Sequence, residues 1–480
     1  MPERIYYIDT AQGDDTQDGL SPGRPLRSYA PLTVRGGDTV LFKRGSMIRD
    51  TLRTSDGEPG APITYGAYGE GEKPTFLGSV AAGDPGRWVE ERHSLWRYVG
   101  SFPSEVCNIV FDDGASCGNL RFGLDDLQND GEWYYTDIGT ASSRESGAEG
   151  TRTPGVLYLV SSGNPGHRYR SIECSLWANR KLVSGKRHII IENLCFRNSG
   201  VHGYQESHPI DVTIRGCDFR CIGGAVWDLA HRVRFGNAVE LWDGAEDVTV
   251  EGCLFDNIYD AGVTHQGGGV VSVPERIYFR DNLFIDCGLA AYECREPSRD
   301  IYFEHNTCIT SGGGFAMQGE PPPRKSEIYV KALGNGHIEM KVIADGIDPS
   351  GPQPIDVGHH VLVWRVERNT QPGQVYIRRN VFHETPHGAA IYAIIDEEDM
   401  RRFVIDENCY SPANAKLLAY YSGRTYGADE FDRYREECGQ DASSRLEKPR
   451  FVCEAQGDFR IQEKSSCAGA GVRPHFSPGR

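Results

Sequence analysis

Seven short segments of the chain follow one template: an apolar residue, any residue and a second apolar residue, then a turn and a closing residue that is usually aromatic. The segments begin at Ile189, Val212, Val248, Ile277, Ile301, Val375 and Phe403 and close at Phe196, Phe219, Phe255, Phe284, Cys308, Phe382 and Tyr410. Successive closing residues are 23 to 36 residues apart, except for one gap of 74. Irregular periods of this size indicate stacked β-coils with loops of variable length rather than helical repeats of fixed size.

The position two residues before the closing residue supports this interpretation. It holds asparagine in four coils and cysteine in two, namely Asn282, Asn306, Asn380, Asn408, Cys217 and Cys253. A side-chain amide repeated once per coil can donate to the amide above and accept from the amide below, so it satisfies its own polar groups. We therefore predict an all-β right-handed parallel β-helix, a solenoid with inserted β-rich excursions. The alternative, a β-sandwich with turn asparagines, gives no such register.

The template and its interruptions predict six parts. These are an N-terminal cap and first coils (1–80), an inserted β-rich domain (81–186), central β-helix coils (187–320), an inserted hairpin or loop (321–372), C-terminal coils (373–425) and a C-terminal cap or tail (426–480). Within the second excursion, 338–343 and 361–364 are expected to form a hairpin beside the helix. The cap is expected because the open end of a β-helix is an unpaired sheet edge.

Composition limits the partners. The 57 glycines among 480 residues favour an all-β protein with many turns. We expect no membrane partner, because no run of about 18 apolar residues occurs. The net charge of −17 argues against nucleic acid and against anionic membranes.

The cysteines and the N-terminus bear on the compartment. Several of the fourteen cysteines, such as Cys195 and Cys308, occupy coil positions that suit small apolar residues, so we expect mostly buried free thiols. The sequence contains no C-x-x-C pair, so a zinc ribbon is not expected. The sequence begins without a charged and then apolar leader, which predicts a cytoplasmic protein or, alternatively, a secreted one whose leader has been removed.

Four stretches near the N-terminus resemble the opening of bacterial right-handed parallel β-helix proteins that act on carbohydrates. They are 6–9, 13–22, 37–42 (Gly-Asp-Thr-Val-Leu-Phe) and 61–69. The resemblance implies a carbohydrate-active enzyme, a glycoside hydrolase or a polysaccharide lyase, with a carbohydrate as substrate. Such proteins often associate side by side, so a homo-oligomer is a further expectation. We expect no cofactor; Asp14, Asp15 and Asp18 could bind calcium, but solvated turn carboxylates are the favoured interpretation.

A second strand in each coil carries the candidate catalytic residues. Glu240 and Glu293 lie at the same offset before the next template strand, which stacks them with one coil between them. Parallel strands are about 4.8 Å apart, so the two carboxyls should be roughly 9–10 Å apart. His265, on the intervening coil, is predicted to share or tune the proton transfer. A register shift of one residue would turn His265 inward and Gln266 outward.

Residues around the glutamates are the candidate sugar-binding groups. Trp242 would be a stacking platform, and Asp243 and Arg295 would bind hydroxyls. Further candidates that could extend the cleft are Gln266, Trp227, Asp228 and Tyr204. No metal ligands are predicted. The alternative is that the glutamates are ordinary outward-facing strand residues.

Three functions are considered, and the acidic chain and the two stacked glutamates favour the first. The first is hydrolysis or transglycosylation of a largely neutral glycan by carboxylate acid/base chemistry. The second is a lyase that cleaves a uronate-containing glycan; β-helix lyases commonly use Lys or Arg, and residues 187–320 contain arginines but no lysine. The third is a non-catalytic glycan-binding β-helix.

Overall fold

Three long sheets wind around one hydrophobic core. The computed structural model describes residues 3–138, 155–228, 233–266, 273–294, 298–312, 327–332, 338–343, 359–363, 374–385, 390–394, 400–411, 416–420 and 425–473. Each coil of the chain contributes one strand to each of three ten-stranded sheets, here called A, B and C. The predicted parallel β-helix is confirmed. Its right-handed winding is the handedness that parallel crossover connections adopt.

Sheet A contains the template strands. Its order is Ile5–Ile8, Thr39–Lys43, Ile63–Tyr68, Arg187–Glu192, Ile210–Arg215, Glu246–Glu251, Glu275–Arg280, Arg299–Glu304, Val375–Arg378 and Phe403–Asp406. All of its pairs are parallel, and the first apolar residues of the seven templates stand in one buried column from Ile189 to Phe403. The N-terminal residues therefore supply three strands of the same sheet.

Sheet B carries the closing residues. Its order is Met47–Ile48, Thr75–Leu77, Cys195–Arg197, Asp218–Ile222, Leu254–Ile258, Leu283–Cys287, Thr307–Ile309, Val381–His383, Cys409–Ser411 and Arg445–Leu446. Phe196, Phe219, Phe255 and Phe284 stack face to face, with ring centroids 5.2, 5.3 and 4.7 Å apart. Because the same position recurs in each coil, the aromatic residues form a continuous buried stack.

Sheet C completes each coil. Its order is Leu52–Arg53, Lys181–Ser184, His202–Ser207, Val239–Trp242, Ala261–Gln266, Ala290–Cys294, Val361–Val363, Tyr392–Ile394, Lys416–Tyr420 and Thr425–Gly427. Only the last pair is antiparallel among the described strands of this sheet. That reversal ends the stacking of parallel coils.

The predicted asparagine column exists and is fully hydrogen-bonded. The backbone N–H of Asn282 donates to Oδ1 of Asn306 (3.0 Å), that of Asn306 to Oδ1 of Asn380 (2.9 Å), and that of Asn380 to Oδ1 of Asn408 (2.9 Å). Each Nδ2 also donates to a backbone carbonyl of the preceding coil, as Asn306 does to Phe279 (2.8 Å). Buried amides are thereby satisfied in each of these turns.

Cysteines replace asparagine at the other end of this column. Sγ of Cys217 and of Cys253 lies 3.6 Å from a carbonyl oxygen of the preceding coil, the group that Nδ2 binds in the asparagine coils. The thiol is a weak donor in the same place. These cysteines are therefore part of the same column, as the sequence predicts.

The outer face of sheet A carries a column of alternating charge. From coil to coil it reads Glu192, Arg215, Glu251, Arg280, Glu304, Arg378 and Asp406. Ion pairs join Arg215 to Glu192 (2.6 Å), Arg280 to Glu251 (2.9 Å) and Arg378 to Glu304 (2.7 Å). Beside them the rings of Tyr278, Tyr302 and Tyr376 stack at 5.0 and 4.8 Å.

The first insertion folds as two small, largely antiparallel sheets with their own core around Trp133. One has the order Ser116–Cys117, Val106–Phe111, Ile172–Leu176 and Ser79–Ala81; the other has the order Asn119–Leu120, Glu132–Tyr135, Leu157–Val160, Leu95–Tyr98 and Trp88–Arg92. Ser79–Ala81 already belongs to the insertion, whereas Lys181–Ser184 belongs to sheet C. The predicted boundaries of 81 and 186 are therefore shifted by a few residues, because the sequence template does not cover sheet C.

The second excursion differs from the prediction in one strand. The hairpin pairs Glu327–Ala332 with Ile338–Ile343. Val361–Val363, which was expected in that hairpin, instead lies in sheet C, between Ala290–Cys294 and Tyr392–Ile394. A buried apolar run of three residues fits a coil strand as well as a hairpin, so the sequence pattern alone does not separate them.

Short helices occur at turns and at the C-terminal end. They are the α-helices Pro165–Arg168 and Phe431–Cys438 and the 3₁₀ turns Pro85–Arg87, Asp112–Gly114, Leu124–Asp126, Trp177–Asn179, Ala428–Glu430 and Glu454–Gln456. The helix Phe431–Cys438 lies over the last coil, where the hydroxyls of Tyr410 and Tyr434 both donate to the buried carboxyl of Asp441 (2.7 Å each). No helix in the described part of the chain is long and apolar enough to cross a membrane.

The C-terminal segment then turns back along sheet B. The hairpin Phe451–Cys453/Asp458–Ile461 and residues up to Val472 pack on Leu254, Leu283 and Ile309, and the Arg473 guanidinium pairs with Asp281. A disulfide joins Cys409 to Cys467, whereas the other twelve cysteines are free thiols. Mostly free thiols are as expected. The one disulfide was not expected, because Cys467 lies in a tail whose path the template does not predict.

Replacing Asn306 with leucine tests the asparagine column. The change removes the acceptor of the Asn282 N–H and the donor to the Phe279 carbonyl, so Asn306→Leu should lower the free energy of unfolding by roughly 2–4 kcal/mol. Cys253→Asn is the control, since it adds an amide where the column already has a thiol donor, and it should change stability by less than about 1 kcal/mol. Urea unfolding measures both; equal effects would contradict the hydrogen-bonded column.

Candidate active site

The predicted stacking of Glu240 over Glu293 is present in sheet C. One column contains Gln205, Glu240, Thr264 and Glu293 in successive coils. The flanking residues of these strands, such as Val239 and Tyr292, lie in the core, so the column faces away from the coil interior. Two strand spacings separate the glutamates, which places their Cα atoms roughly 9–10 Å apart.

Four polar groups surround the carboxylate of Glu240. The Nε2 of Gln205 and the Nδ2 of Asn237 donate to it at 2.9 and 3.2 Å, and Nε2 of Gln266 also donates. Nε2 of His202 lies 3.0 Å from Oε2. Because Nδ1 of His202 accepts the backbone N–H of Asn237 (3.1 Å), its Nε2 carries the proton and donates. Donors on both oxygens stabilise the ionised carboxylate.

Thr264 separates the two glutamates. Its side chain is completely buried, and Oγ1 has no hydrogen-bond partner within the described part of the protein. A buried hydroxyl without a partner costs free energy, so such a group indicates a place where a water or a ligand atom binds. In this column that place lies between Glu240 and Glu293.

Both carboxyls are shielded from solvent. Glu240 is 3% exposed and Glu293 is 2% exposed, although both face away from the coil interior. The next residue in the column after Glu293 is the fully buried Leu362. Charges in such surroundings interact more strongly than they do in water, which suits acid/base chemistry.

His265 does not lie between the glutamates, so this part of the prediction is wrong. It pairs with Leu241 and Cys294 in the inward-facing column, and its Nε2 hydrogen-bonds the hydroxyl of Tyr292 at 2.8 Å. Burial lowers the pKa of His265 to about 3. The alternative register considered from the sequence is therefore the correct one. Gln266 faces outward and contacts Glu240, and His265 belongs to the core.

Trp242 and Asp243 lie beside Glu240, at the end of the same strand. Trp242 stands in the outward column with Ser207 and Gln266, and its indole Nε1 is buried without a partner among the described residues. Oδ2 of Asp243 accepts the hydroxyl of Ser207 at 3.1 Å. Both positions are compatible with the predicted sugar contacts, which stay predictions.

Three other candidates are placed differently. Tyr204 points inward, where its hydroxyl donates to the Gly185 carbonyl (2.8 Å), so its predicted substrate contact is wrong. Trp227 and Asp228 lie on a two-stranded hairpin, Ala225–Asp228 with Val233–Phe235, and not on a strand of sheet C; their sugar contacts stay predictions. Arg295 lies outside the described residues.

The inserted domain borders the site through this hairpin. Phe235 packs edge-on against His202, with centroids 5.5 Å apart, and lies 6.0 Å from the ring of Trp177 in the insertion. The buried Arg234 donates to the Gly224 carbonyl (2.7 Å) and the Cys107 carbonyl (3.3 Å). The position of His202 thus depends on both the coil and the insertion.

Asp14, Asp15 and Asp18 lie in the N-terminal part of the chain, and their carboxylates hydrogen-bond the backbone of that same region. Asp14 and Asp18 each accept a backbone N–H two residues ahead, at 3.0 and 3.1 Å, and Asp15 accepts the N–H groups of Arg27 and Ser28 at 2.8 Å. Such bonds are those of turn carboxylates. The sequence favours turn carboxylates over calcium ligands at this loop, and that preference stays a prediction.

The residues that sequence reasoning missed around Glu240 are His202, Asn237 and Thr264. Thr264 had a signal: Gln205, Thr264 and Glu293 each lie nine residues after the closing aromatic of their coil, Phe196, Phe255 and Phe284. Counting back from the next template strand hides this, because the loop after sheet C varies in length. His202 and Asn237 carried no comparable signal.

The architecture and the outward column define a β-helix protein of the kind found among carbohydrate-active enzymes, as the N-terminal resemblance predicted. Pectate lyase L of Dickeya dadantii (strain 3937) is 24% identical over 325 residues, which are 60% of this chain and 72% of that protein. A lacto-N-biosidase of Bifidobacterium longum subsp. longum is 30% identical over 96 residues, 18% of this chain and 6% of that protein. A solved glycoside hydrolase shares the fold with a TM-score of 0.52 at 10% identity, covering 88% of this chain and 90% of its own. No protein-family profile matches the chain.

The placement of His265 predicts that it does not titrate at physiological pH. With its pKa lowered to about 3 by burial, its imidazole should stay neutral in the folded protein from pH 5 to pH 8. The unfolded chain binds a proton near pH 6.5, so this residue's contribution to stability is complete above that pH and decreases as the pH falls towards 3. Imidazole ¹⁵N spectra, assigned with His265→Gln, measure the titration; a midpoint near 6.5 would contradict the buried inward position.

Proposed function

We propose that the protein is a glycoside hydrolase or transglycosylase that acts on a largely neutral oligo- or polysaccharide through Glu240 and Glu293. The observation that carries this proposal is the outward column itself, in which two buried carboxyls flank a hydroxyl that has no partner among the described residues. Such an arrangement offers an acid and a base, with a place for a reacting atom between them. The solved glycoside hydrolase supports only the fold.

The four donors around Glu240 suggest its role, and Glu293 would take the complementary one. Glu240, with donors on both oxygens, is favoured as the ionised group and would act as the general base. Glu293 would act as the general acid and protonate the leaving oxygen. Inverting hydrolases hold their carboxyls about 6.5–9.5 Å apart, with room for a water, and the two-coil separation is close to that range.

Thr264 would position the attacking water. Its position lies in the column between base and acid, and a water bound to its Oγ1 would sit beside Glu240. A hydroxyl that holds a water in the reactive geometry lowers the barrier by orientation rather than by proton transfer. Trp242, whose indole N–H has no partner in the described part of the protein, would then stack on a sugar ring and donate to a hydroxyl.

A neutral substrate fits the charge of the protein. The chain carries a net charge of −17, and two of its carboxyls, Glu240 and Glu293, are buried in the site. Like charges raise the cost of binding a polyuronate. The similarity to a lacto-N-biosidase also supports action on oligosaccharides, although it covers only 96 residues.

A polysaccharide lyase is the second candidate, favoured by the similarity to pectate lyase L over 325 residues. Elimination needs a base that removes the proton from the ring carbon bearing the uronate's carboxylate, and residues 187–320 offer arginines and no lysine. An elimination leaves an unsaturated sugar, whereas hydrolysis does not. Incubation with neutral and uronate-containing glycans, read by new reducing ends and by the absorbance of an unsaturated product, distinguishes the two reactions. A glycan-binding β-helix without activity would give neither signal.

Replacing each glutamate with glutamine tests the proposed roles. Glu240→Gln and Glu293→Gln should each lower kcat at least about a hundredfold, because a positioned acid or base contributes on that scale. Glu304→Gln, the same change on the outer face of sheet A, is the control and should keep full activity. Melting temperatures verify folding; near-wild-type turnover in either site variant removes that residue from the mechanism.

A pair of threonine variants tests the water position. Thr264→Val keeps the shape but removes the hydroxyl, and kcat should fall roughly tenfold or more while the melting temperature stays the same or rises. Thr264→Ser restores the hydroxyl and should recover most of the rate. Initial rates on the substrate found in the glycan assay measure both, and equal rates for the valine and serine variants would show that the hydroxyl has no such role.

A further inference from the structure

A second cluster of polar side chains lies on sheet B, away from the candidate active site. Nε2 of His383 is 3.2 Å from Oε1 of Glu454 and 3.6 Å from Oε1 of Glu384. One ligand atom from each of these residues lies within 4.8 Å of the other two. We propose that His383, Glu384 and Glu454 bind a divalent transition-metal ion, with Zn²⁺ as the best match.

The imidazole of His383 is held rigidly in place. It ends the sheet B strand Val381–His383, is 1% exposed, and packs edge-on against Phe451 with ring centroids 5.2 Å apart. A buried, fixed imidazole loses little entropy when it binds an ion. Its Nε2, the atom that faces both carboxylates, is therefore a preorganised ligand.

The two carboxylates come from different parts of the chain. Glu384 follows His383 directly, and its backbone N–H donates to the Ser411 carbonyl of the next coil (2.9 Å). Glu454 begins the 3₁₀ turn Glu454–Gln456 of the C-terminal segment. Both side chains are nearly half exposed, so they can adjust to an ion and leave a coordination position open to water.

The ligand set determines the class of ion. One imidazole nitrogen and two carboxylate oxygens suit Zn²⁺, which prefers four ligands from nitrogen, oxygen and sulfur. Ca²⁺ takes six to eight oxygens and is a poorer match for a set that includes imidazole. Lys448, 3.8 Å from Oε2 of Glu454, faces the other carboxylate oxygen and leaves Oε1 directed at His383.

The position of the site gives the ion a structural consequence. Glu454 belongs to the segment that packs over Leu254, Leu283 and Ile309 of sheet B, whereas His383 and Glu384 belong to a coil. The same segment is joined to sheet B by the Cys409–Cys467 disulfide. An ion would thus be a further link between the segment and the coils, beside the disulfide and the Arg473–Asp281 ion pair, and would stabilise the folded state.

Thermal unfolding of the full-length, EDTA-treated and desalted protein tests this proposal. Excess ZnCl₂ should raise the melting temperature by about 3 °C or more, the shift expected when the ion is near a hundred times its dissociation constant. CaCl₂ at the same concentration should cause a smaller shift. Titration calorimetry should give one Zn²⁺ per chain at this site.

Two variants and a control locate the ion. Glu384→Gln and Glu454→Gln change half-exposed side chains, so both should fold, and both should lose the shift caused by ZnCl₂. Glu407→Gln removes another exposed carboxylate, paired with Arg379, and should respond as the wild type does. No shift in the wild type, or an equal shift in the two variants, would overturn the proposal; the second result would place Zn²⁺ elsewhere, for example on free thiols.

Discussion

The in-register stacking of coils is the constraint on which the rest of this structure depends. Each coil places the same residue position directly over its counterpart, so a side chain works only if it suits the one above and the one below. A buried amide is costly unless its donors and acceptor are all paired. Asn282, Asn306, Asn380 and Asn408 meet that requirement by pairing with one another and with the backbone of the preceding coil. The turn between sheets A and B is thereby fixed over four coils.

Different columns fix the register in different ways. The phenylalanine stack fills the interior at sheet B, whereas the outer column of sheet A alternates in sign from Glu192 to Asp406. Pairing a strand with the wrong coil would bring like charges together in that column, and like charges opposite each other destabilise a sheet. Exposed ion pairs contribute little stability individually, so the value of this column lies in specifying the pairing.

The same rule explains how far the sequence predicts the molecule. Sheets A and B could be predicted because their residues belong to one template, whose closing residue always lies seven positions after the first, as from Ile189 to Phe196. In most coils the outward residue of the sheet C strand lies nine residues after the closing residue. The hairpin Ala225–Asp228/Val233–Phe235 lengthens that interval in the coil of Glu240. Counting backwards from the next template strand located the two glutamates correctly. It missed Thr264 and misplaced His265, because the loop after Gln266 is longer than the one after Glu293.

The surroundings of Glu240 could not be predicted in this way. His202 and Asn237 both hydrogen-bond Glu240, and the N–H of Asn237 donates to His202. His202 also packs on Phe235. These tertiary contacts have no sequence period. The C-terminal segment is a similar case. Its disulfide and its packing along sheet B depend on where a tail without the template turns back, and no periodic pattern specifies that path.

The central claim is that two carboxyls of one outward column, separated by one coil, cleave a glycosidic bond. The anomeric configuration of the first product tests this most directly, because it depends on the distance between the two groups. Proton NMR of the reaction during the first minutes, before mutarotation, measures it on whichever glycan the protein cleaves. The separation of roughly two strand spacings predicts inversion. Retention would require a partner carboxyl about 5 Å away, and would contradict the pairing of Glu240 with Glu293.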